Sequence, residues 1–146
     1  MSLTIQDAAR RSGLSEPTPR YYEQVGLIGP VDRDPSSGHR RYREEDLDDL
    51  QILACLRAVG LGIAEMRTYQ ANRTRGHDAA GEQRDLLLRH AERIEAEIAT
   101  LHVHLDYLQA KAALWDARDH GDAAAEAAAN ERVQGMYPRL EAMVLQ

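Results

Sequence analysis

The sequence predicts a mainly α-helical protein in which a winged helix-turn-helix is followed by one long coiled-coil helix. Two short helical segments meet at a "GLS" turn, and an arginine-bearing stretch around "DPSSG" has the composition of a β-hairpin. From Leu87 onwards, apolar residues alternate at spacings of four and three without a break. A chain of 146 residues corresponds to one domain, or to a small domain with an appendage.

Composition and charge restrict the setting and the partners. No charge-free run approaches the roughly 18 residues of a membrane span, and the single cysteine excludes an internal disulfide framework. We therefore expect a cytoplasmic protein without a membrane segment. The net charge is −6, yet residues 1–43 carry seven arginines against five carboxylates. Guanidinium groups suit bidentate phosphate contact, although an arginine-rich genome would produce the same bias.

The helix-turn-helix is predicted from its start and stop signals. Thr4 and Asp7 form a capping-box pattern at the first helix, and Gly13 ends that helix. Ser15 is then expected to cap the second helix, which ends at Gly26. In such a motif the second helix enters the major groove of DNA.

Two adjacent tyrosines occupy the second helix. Helical spacing places Tyr22 on the face that packs on the first helix, and leaves Arg20 and Tyr21 free to meet DNA. On residue types alone, two packing tyrosines and a solvated arginine explain the segment equally well.

The following segment favours the DNA-binding interpretation. Residues 31–33 and 39–42 are expected to pair as a hairpin, and residues 31–42 are called the wing below. A wing places arginines on the flanking DNA backbone, where phosphate contacts fix the register. The side chains predicted to contact DNA are Ser15, Thr18, Arg20, Tyr21, Arg33, His39, Arg40, Arg41 and Tyr42.

Two further helices and a heptad pattern complete the chain. An acidic-started helix ends at Gly60, and a fourth runs from about Gly62 to Asn72. The expected organisation is a DNA-binding domain at 1–73, a linker at 74–83, a dimerisation helix at 84–119 and a helical tail at 120–146, which Pro138 divides. The heptad positions, called the seam below, are Leu87, Ala91, Ile94, Ile98, Leu101, Leu105, Leu108, Ala112 and Trp115.

The seam predicts a second copy of the chain as its partner. A lone helix cannot bury so long an apolar stripe, and only short helices remain elsewhere to cover it. Packing against the protein's own core is the alternative.

The runs "RYYE…GLI", "GHRRY" and "DLDDLQIL…LRAVGL" resemble the DNA-binding domain of MerR-type transcription regulators over about residues 3–70. The resemblance implies a homodimer with antiparallel coiled-coil helices on a promoter with an unusually long spacer. It also implies that the dimer bends and untwists DNA so that RNA polymerase engages both promoter elements. Two positions depart from the family pattern: Pro19 replaces a leucine or isoleucine, and Gly62 replaces a serine.

The number of cysteines limits which effectors the protein could sense. One thiol per chain does not fit the soft-metal or iron–sulfur sites of related sensors, so no metal or cofactor is expected. The settings "LACLRAVGL" and "LDYLQAKAALW" resemble the aldehyde- and nitrosothiol-responsive subgroup, NmlR/AdhR, which implies that Cys55 senses electrophiles. A buried structural cysteine is the alternative, because a free cysteine behaves as a small hydrophobe.

Other functions fit the residues less well. The alternative regulator has no effector, or takes a small apolar ligand beside the coil. An enzyme is not expected, because the sequence has no nucleophile–base arrangement and no glycine-rich phosphate loop. An adaptor that uses the tail is a further possibility.

Overall fold

The computed structural model describes residues 3–145, which form two compact units, one ending at His90 and the other beginning at Ala91. The predicted mainly helical fold with a two-stranded wing is confirmed. The elements in chain order are α1 (Ile5–Ser12), α2 (Pro17–Gln24), β1 (Asp32–Arg33), β2 (Arg40–Arg41), α3 (Glu44–Ala58), α4 (Ile63–Arg75), a 3₁₀ turn (Gly76–Ala79), α5 (Ala80–Asp119) and α6 (Ala123–Val144). Among the described residues, no helix is long and apolar enough to cross a membrane.

Helix α1 is closed at both ends by the predicted residues. The Asp7 amide donates to Thr4 Oγ1 at 3.2 Å, and the Thr4 amide donates to Asp7 Oδ2 at 3.1 Å. Gly13 then adopts a φ of 79°, and its amide donates to the Ala9 carbonyl. A side chain at this left-handed position would be strained, so glycine is the residue that lets the chain turn into α2.

Helix α2 begins differently from the prediction. The Ser15 side chain does not cap it: its hydroxyl pairs with the Thr18 hydroxyl at 3.0 Å. The reason is that Pro17 has no N–H to offer, while the Thr18 amide already donates to the Ser15 carbonyl. At the other end, Gly26 has a φ of 77° and the Leu27 amide donates to the Tyr22 carbonyl at 2.8 Å, which closes the helix as predicted.

The wing forms where it was predicted. β1 and β2 are antiparallel, with Asp32 opposite Arg41 and Arg33 opposite Arg40. Directly after β2, Tyr42 forms an isolated bridge with Leu3, in which the two backbones exchange two hydrogen bonds of 2.7 Å.

The core of the first unit lies between α1, α2, α3 and the start of α4. Apolar side chains from these helices and from the wing are removed from water, which supplies the main stabilisation of so small a unit. The buried members are Ala8, Tyr22, Leu27, Ile28, Val31, Tyr42, Leu47, Leu50, Leu53, Leu61 and Met66.

The segment 74–83, expected to be a linker, is helical for most of its length. α4 continues to Arg75, and α5 starts at Ala80 after one 3₁₀ turn. The turn is tied on both sides, because Ala79 is fully buried and Arg75 pairs with Glu82 at 2.8 Å. These contacts hold in place a stretch whose composition is typical of a loop.

In the second unit α6 folds back along α5. The chain reverses at Gly121, and the Asp122 side chain caps α6 by accepting from the Ala125 amide at 3.0 Å. α6 runs unbroken past Pro138, so the expected division of the tail at this residue is wrong. A proline removes one amide donor, and α6 retains its helical course across this missing bond.

Candidate nucleic-acid interface

The adjacent tyrosines of α2 point into two different environments. Tyr22 is 1% exposed and belongs to the core, as predicted, whereas Tyr21 is 47% exposed. Their ring centres lie 6.3 Å apart. Arg20 precedes them and is exposed as well. The outer face of α2 therefore offers a cation and an aromatic ring with a hydroxyl, both suited to base edges and phosphates.

A basic groove of about 550 Å³ separates α2 from the wing. Its floor and rim come from the start of α1, from α2 and from both wing strands. Four of the lining residues are arginines and one is a histidine. Arg40 and Arg41 are paired with carboxylates outside the lining, so the positive charge that attracts anions comes mainly from Arg20 and Arg33. The lining residues are Thr4, Ile5, Gln6, Glu16, Arg20, Arg33, Gly38, His39, Arg40 and Arg41.

The wing tip is held by one carboxylate. Asp34 accepts from the Ser36 hydroxyl at 2.6 Å and from the amides of Ser36 and Ser37 at 2.9 and 3.0 Å. These bonds, with that of the Ser36 hydroxyl the largest, hold the pKa of Asp34 well below its usual range. Arg41 lies 3.4 Å from the same carboxylate, and Arg33 donates to the Gly38 carbonyl at 3.2 Å. The tip is therefore ordered before any ligand arrives.

Arg40 makes a contact that the sequence did not predict. Its Nε donates to Glu23 Oε1 at 2.7 Å, and the two side chains are only 19% and 16% exposed. The other Glu23 oxygen accepts from the Val31 amide at 2.8 Å. Burial by itself would raise the pKa of Glu23, but the bonds from Arg40 and Val31 outweigh it and the pKa is lowered. Arg40 thus joins the wing to α2.

Tyr42 was predicted to contact DNA, but its burial contradicts this prediction. It is fully buried, and its hydroxyl has no hydrogen-bond partner. Burial raises the pKa of Tyr42. Its backbone pairs with that of Leu3, and its ring is part of the core and not on the surface that faces a ligand.

A second concavity, of about 420 Å³, lies between the starts of α2 and α4. Thr18 and Tyr21 line one side, and Arg57 and Gly62 line the other. Gly62 has no side chain to bond the first free amides of α4, which makes this helix end available to an anion. Arg57 is not among the side chains predicted from the sequence; it lies in the last turn of α3 and is followed by "AVGLG", which leads into α4.

Cys55 is exposed on α3. Within the single chain the thiol is therefore not buried, as a structural cysteine would be. One helical turn further on, the Val59 carbonyl lies 2.6 Å from Nε2 of His90 in α5. The thiol is therefore reachable from solvent and lies one turn from a contact between α3 and α5.

The seam residues of α5 form an apolar stripe that the chain itself leaves largely uncovered. Ile98 is 49% exposed, Leu101 is 63% and Leu108 is 64%. The opposite face of α5 is covered by α6, where Val103, Ala110, Leu114 and Ala117 are buried with Val133. α5 thus has two apolar faces on opposite sides, and only one has a partner within the described chain.

The comparisons with known proteins agree with this architecture. A family model described as MerR HTH family regulatory protein matches residues 3–72, and one described as MerR, DNA binding matches residues 47–111. An uncharacterised HTH-type transcriptional regulator of Haemophilus influenzae is 31% identical over 115 residues, which are 79% of this chain and 84% of that protein.

The chain belongs to the MerR family of transcription regulators. Its relatives are regulators, which confirms the prediction that this MerR protein is not an enzyme. The regulator AdhR of Bacillus subtilis is 36% identical over 92 residues, or 63% of this chain and 65% of that protein.

A solved structure shows the same fold. It is HiNmlR, described as a MerR family regulator lacking the sensor domain, bound to promoter DNA. The match has a TM-score of 0.64 at 30% identity and covers 89% of this MerR chain and 96% of that one.

Proposed function

We propose that this MerR-family protein is a homodimer that binds promoter DNA through α2 and the wing of each protomer. The observation that carries the proposal is the basic groove between α2 and the wing, beside an exposed Arg20 and Tyr21. The overall net charge of −6 opposes unspecific attraction to DNA, so the affinity is concentrated at this groove. HiNmlR, which shares the fold, was captured on promoter DNA.

The dimer is proposed to form through the uncovered seam of α5. The seam spans 29 positions, which is about 42 Å of helix and long enough for a stable two-helix interface. An antiparallel arrangement gives the two helices one two-fold axis, so the two grooves face a pseudo-palindromic site.

The proposed action on DNA is deformation. A dimer that bends and untwists a long promoter spacer brings both promoter elements into reach of RNA polymerase, and the DNA supplies specificity at positions that the protein does not touch. We place this action in the cytoplasm, where promoter DNA and polymerase are found.

The experiment is a selection from randomised double-stranded DNA with the full chain, followed by footprinting and sequencing of the recovered duplexes. The expected result is a pseudo-palindrome whose half-sites are protected together. Recovery of unrelated sequences, or of single half-sites only, would contradict a sequence-specific dimer.

Cys55 is proposed as the effector site. Two observations favour it: the thiol is exposed, and AdhR is among the relatives. Addition of the thiolate to an aldehyde carbon forms a carbon–sulfur bond, and the carbonyl oxygen takes up a proton to give a hemithioacetal. Such an adduct on α3, one turn from the Val59–His90 contact, would bias the packing of α3 against the first turns of α5.

In-vitro transcription with and without formaldehyde, for the wild type and Cys55→Ser, tests this proposal. We expect formaldehyde to change transcription with the wild type and not with Cys55→Ser. An equal response from both proteins removes Cys55 from the mechanism, and no response from either favours a regulator without covalent sensing, with no effector or with a small apolar ligand.

A further inference from the structure

The carboxyl end of the recognition helix α2 is held by side chains from α4. Arg67 Nη2 donates to the Val25 carbonyl at 2.6 Å, and Gln70 Nε2 donates to the Leu27 carbonyl at 3.0 Å. Both carbonyls follow the last residue of α2, where no further backbone amides of the helix are available as hydrogen-bond donors. Two residues one turn apart on α4 therefore hold the loop after α2 from one side.

The length of α2 indicates that these two hydrogen bonds help to orient it. α2 has eight residues, too few to be stable or oriented by its own hydrogen bonds. A guanidinium at a helix carboxyl end is also electrostatically favourable, since the peptide dipoles leave partial negative charge there. The Gln70 bond fixes its amide orientation, because the opposite orientation would place Oε1 against the Leu27 carbonyl.

α4 is itself fixed to its neighbours beyond this point. The buried Asn72 donates to Gln83 Oε1 at 3.2 Å, and Gln83 Nε2 donates to the Tyr69 carbonyl at 2.9 Å. Arg73 forms an ion pair with Asp49 of α3. α4 is thus bonded to the recognition helix at one end and to α3 and the first turns of α5 at the other.

We propose that Arg67 and Gln70 are positioning residues for DNA recognition. They set the direction in which α2 presents Arg20 and Tyr21, and they contribute to sequence discrimination without contacting DNA. This inference rests on the proposed function, because it concerns the same recognition helix. A misdirected α2 still carries its charge to DNA, so unselected sequences are bound as before while the selected sequence loses its fit.

The test uses the full chain and two duplexes of equal length: the tightest binder that the wild type recovers from a randomised pool, and an unselected sequence. The variants are Arg67→Met, Gln70→Met and both together, with Arg67→Lys as the form that keeps a donor. Arg75→Met is the matched control, because Arg75 lies on the same helix but pairs with Glu82 and not with α2.

The expected result is a loss of about tenfold in affinity for the selected duplex in the double variant, from two missing hydrogen bonds. Affinity for the unselected duplex and the salt dependence of binding stay at wild-type values. Arg67→Lys retains most of the selected affinity, and Arg75→Met retains all of it. Partial unfolding would lower both affinities equally, so the ratio of the two affinities separates positioning from stability.

Three results would overturn the inference. A shallower salt dependence in Arg67→Met would indicate that Arg67 contacts a DNA phosphate. An unchanged ratio of selected to unselected affinity in the double variant would show that these two hydrogen bonds do not orient α2. If the double variant does not fold, Arg67→Met is compared with Arg67→Lys. The inference then requires a lower ratio of selected to unselected affinity in Arg67→Met than in Arg67→Lys, and equal ratios contradict it. If the wild type selects no sequence from the pool, both the proposed function and this inference fail. If the wild type selects a sequence but the double variant has the wild-type ratio of selected to unselected affinity, only this inference fails.

Discussion

Arg40 of the wing donates a 2.7 Å hydrogen bond to Glu23 of α2, which lies 17 residues earlier in the chain. Both side chains are more than four-fifths enclosed. The pair therefore joins the two elements that the groove requires, and it fixes the wing relative to α2 before DNA is bound.

Replacing Arg40 by methionine should destabilise the chain. Glu23 would keep its negative charge in an enclosed place without its partner, at a cost of about 2 kcal/mol, below the value for fully buried pairs because some water still reaches it. Urea unfolding measures the loss. Arg57→Met, which removes the same charge from an exposed position of α3, is the control and should change stability by less than about 0.5 kcal/mol. Equal losses in the free energy of unfolding of the two variants would show that the Arg40–Glu23 pair does not contribute specifically to stability.

Glu23→Gln should change how stability depends on pH. The pKa of Glu23 is lowered in the folded chain from its ordinary value of 4.5, so the unfolded state binds more protons in acid. The stabilisation from this group is fully present above pH 4.5 and is lost as the pH falls below that value toward the folded pKa. Thermal unfolding between pH 3 and pH 7 measures this dependence. A variant with the wild-type slope below pH 4.5 would contradict the assignment.

Ile98→Asp should separate the protomers. An aspartate in an apolar seam would have to be buried without a partner, which costs several kcal/mol at each of two symmetric positions. Sedimentation at micromolar concentration should give twice 16.4 kDa for the wild type and 16.4 kDa for the variant. Ala113→Asp adds the same charge to an exposed position of α5 outside the seam and should remain a dimer. A monomeric wild type would refute the proposed architecture.

Arg20→Ala should weaken binding to the selected duplex by about 1–3 kcal/mol if the guanidinium pairs with a base edge. Such a contact also specifies sequence, so a repeated selection with the variant should relax the preference at one position of each half-site. Competition binding and sequencing provide the two measurements. A uniform loss on all sequences, with a smaller salt slope, would instead assign Arg20 to a phosphate.

The elements that sequence predicted well depend on short-range signals. Thr4 and Asp7 lie three residues apart, and Gly13 and Gly26 take up left-handed conformations that few other residues tolerate. The same holds for the wing, whose turn is closed by Asp34 and its immediate successors. Each of these structures is decided within a few residues, so the sequence alone is sufficient.

The differences concern contacts between distant parts of the chain. The enclosure of Arg40 depends on Glu23, and the burial of Tyr42 depends on its pairing with Leu3. The helical course of 74–83 depends on the burial of Ala79 and on the pair of Arg75 with Glu82. No local pattern carries this information, because composition and spacing do not say which distant residue a side chain meets.

The two opposite apolar faces of α5 have a consequence for the stoichiometry of the assembly. With α6 in place, the described part of α5 leaves one apolar face uncovered, so a protomer of the proposed dimer can bind one partner and the assembly closes at a pair. A chain cut after Asp119 would expose Val103, Ala110 and Leu114 as well, and it could then bind two partners. Helices with two uncovered faces could associate without limit, so in the proposed dimer the packing of α6 on α5 would restrict the assembly to two chains.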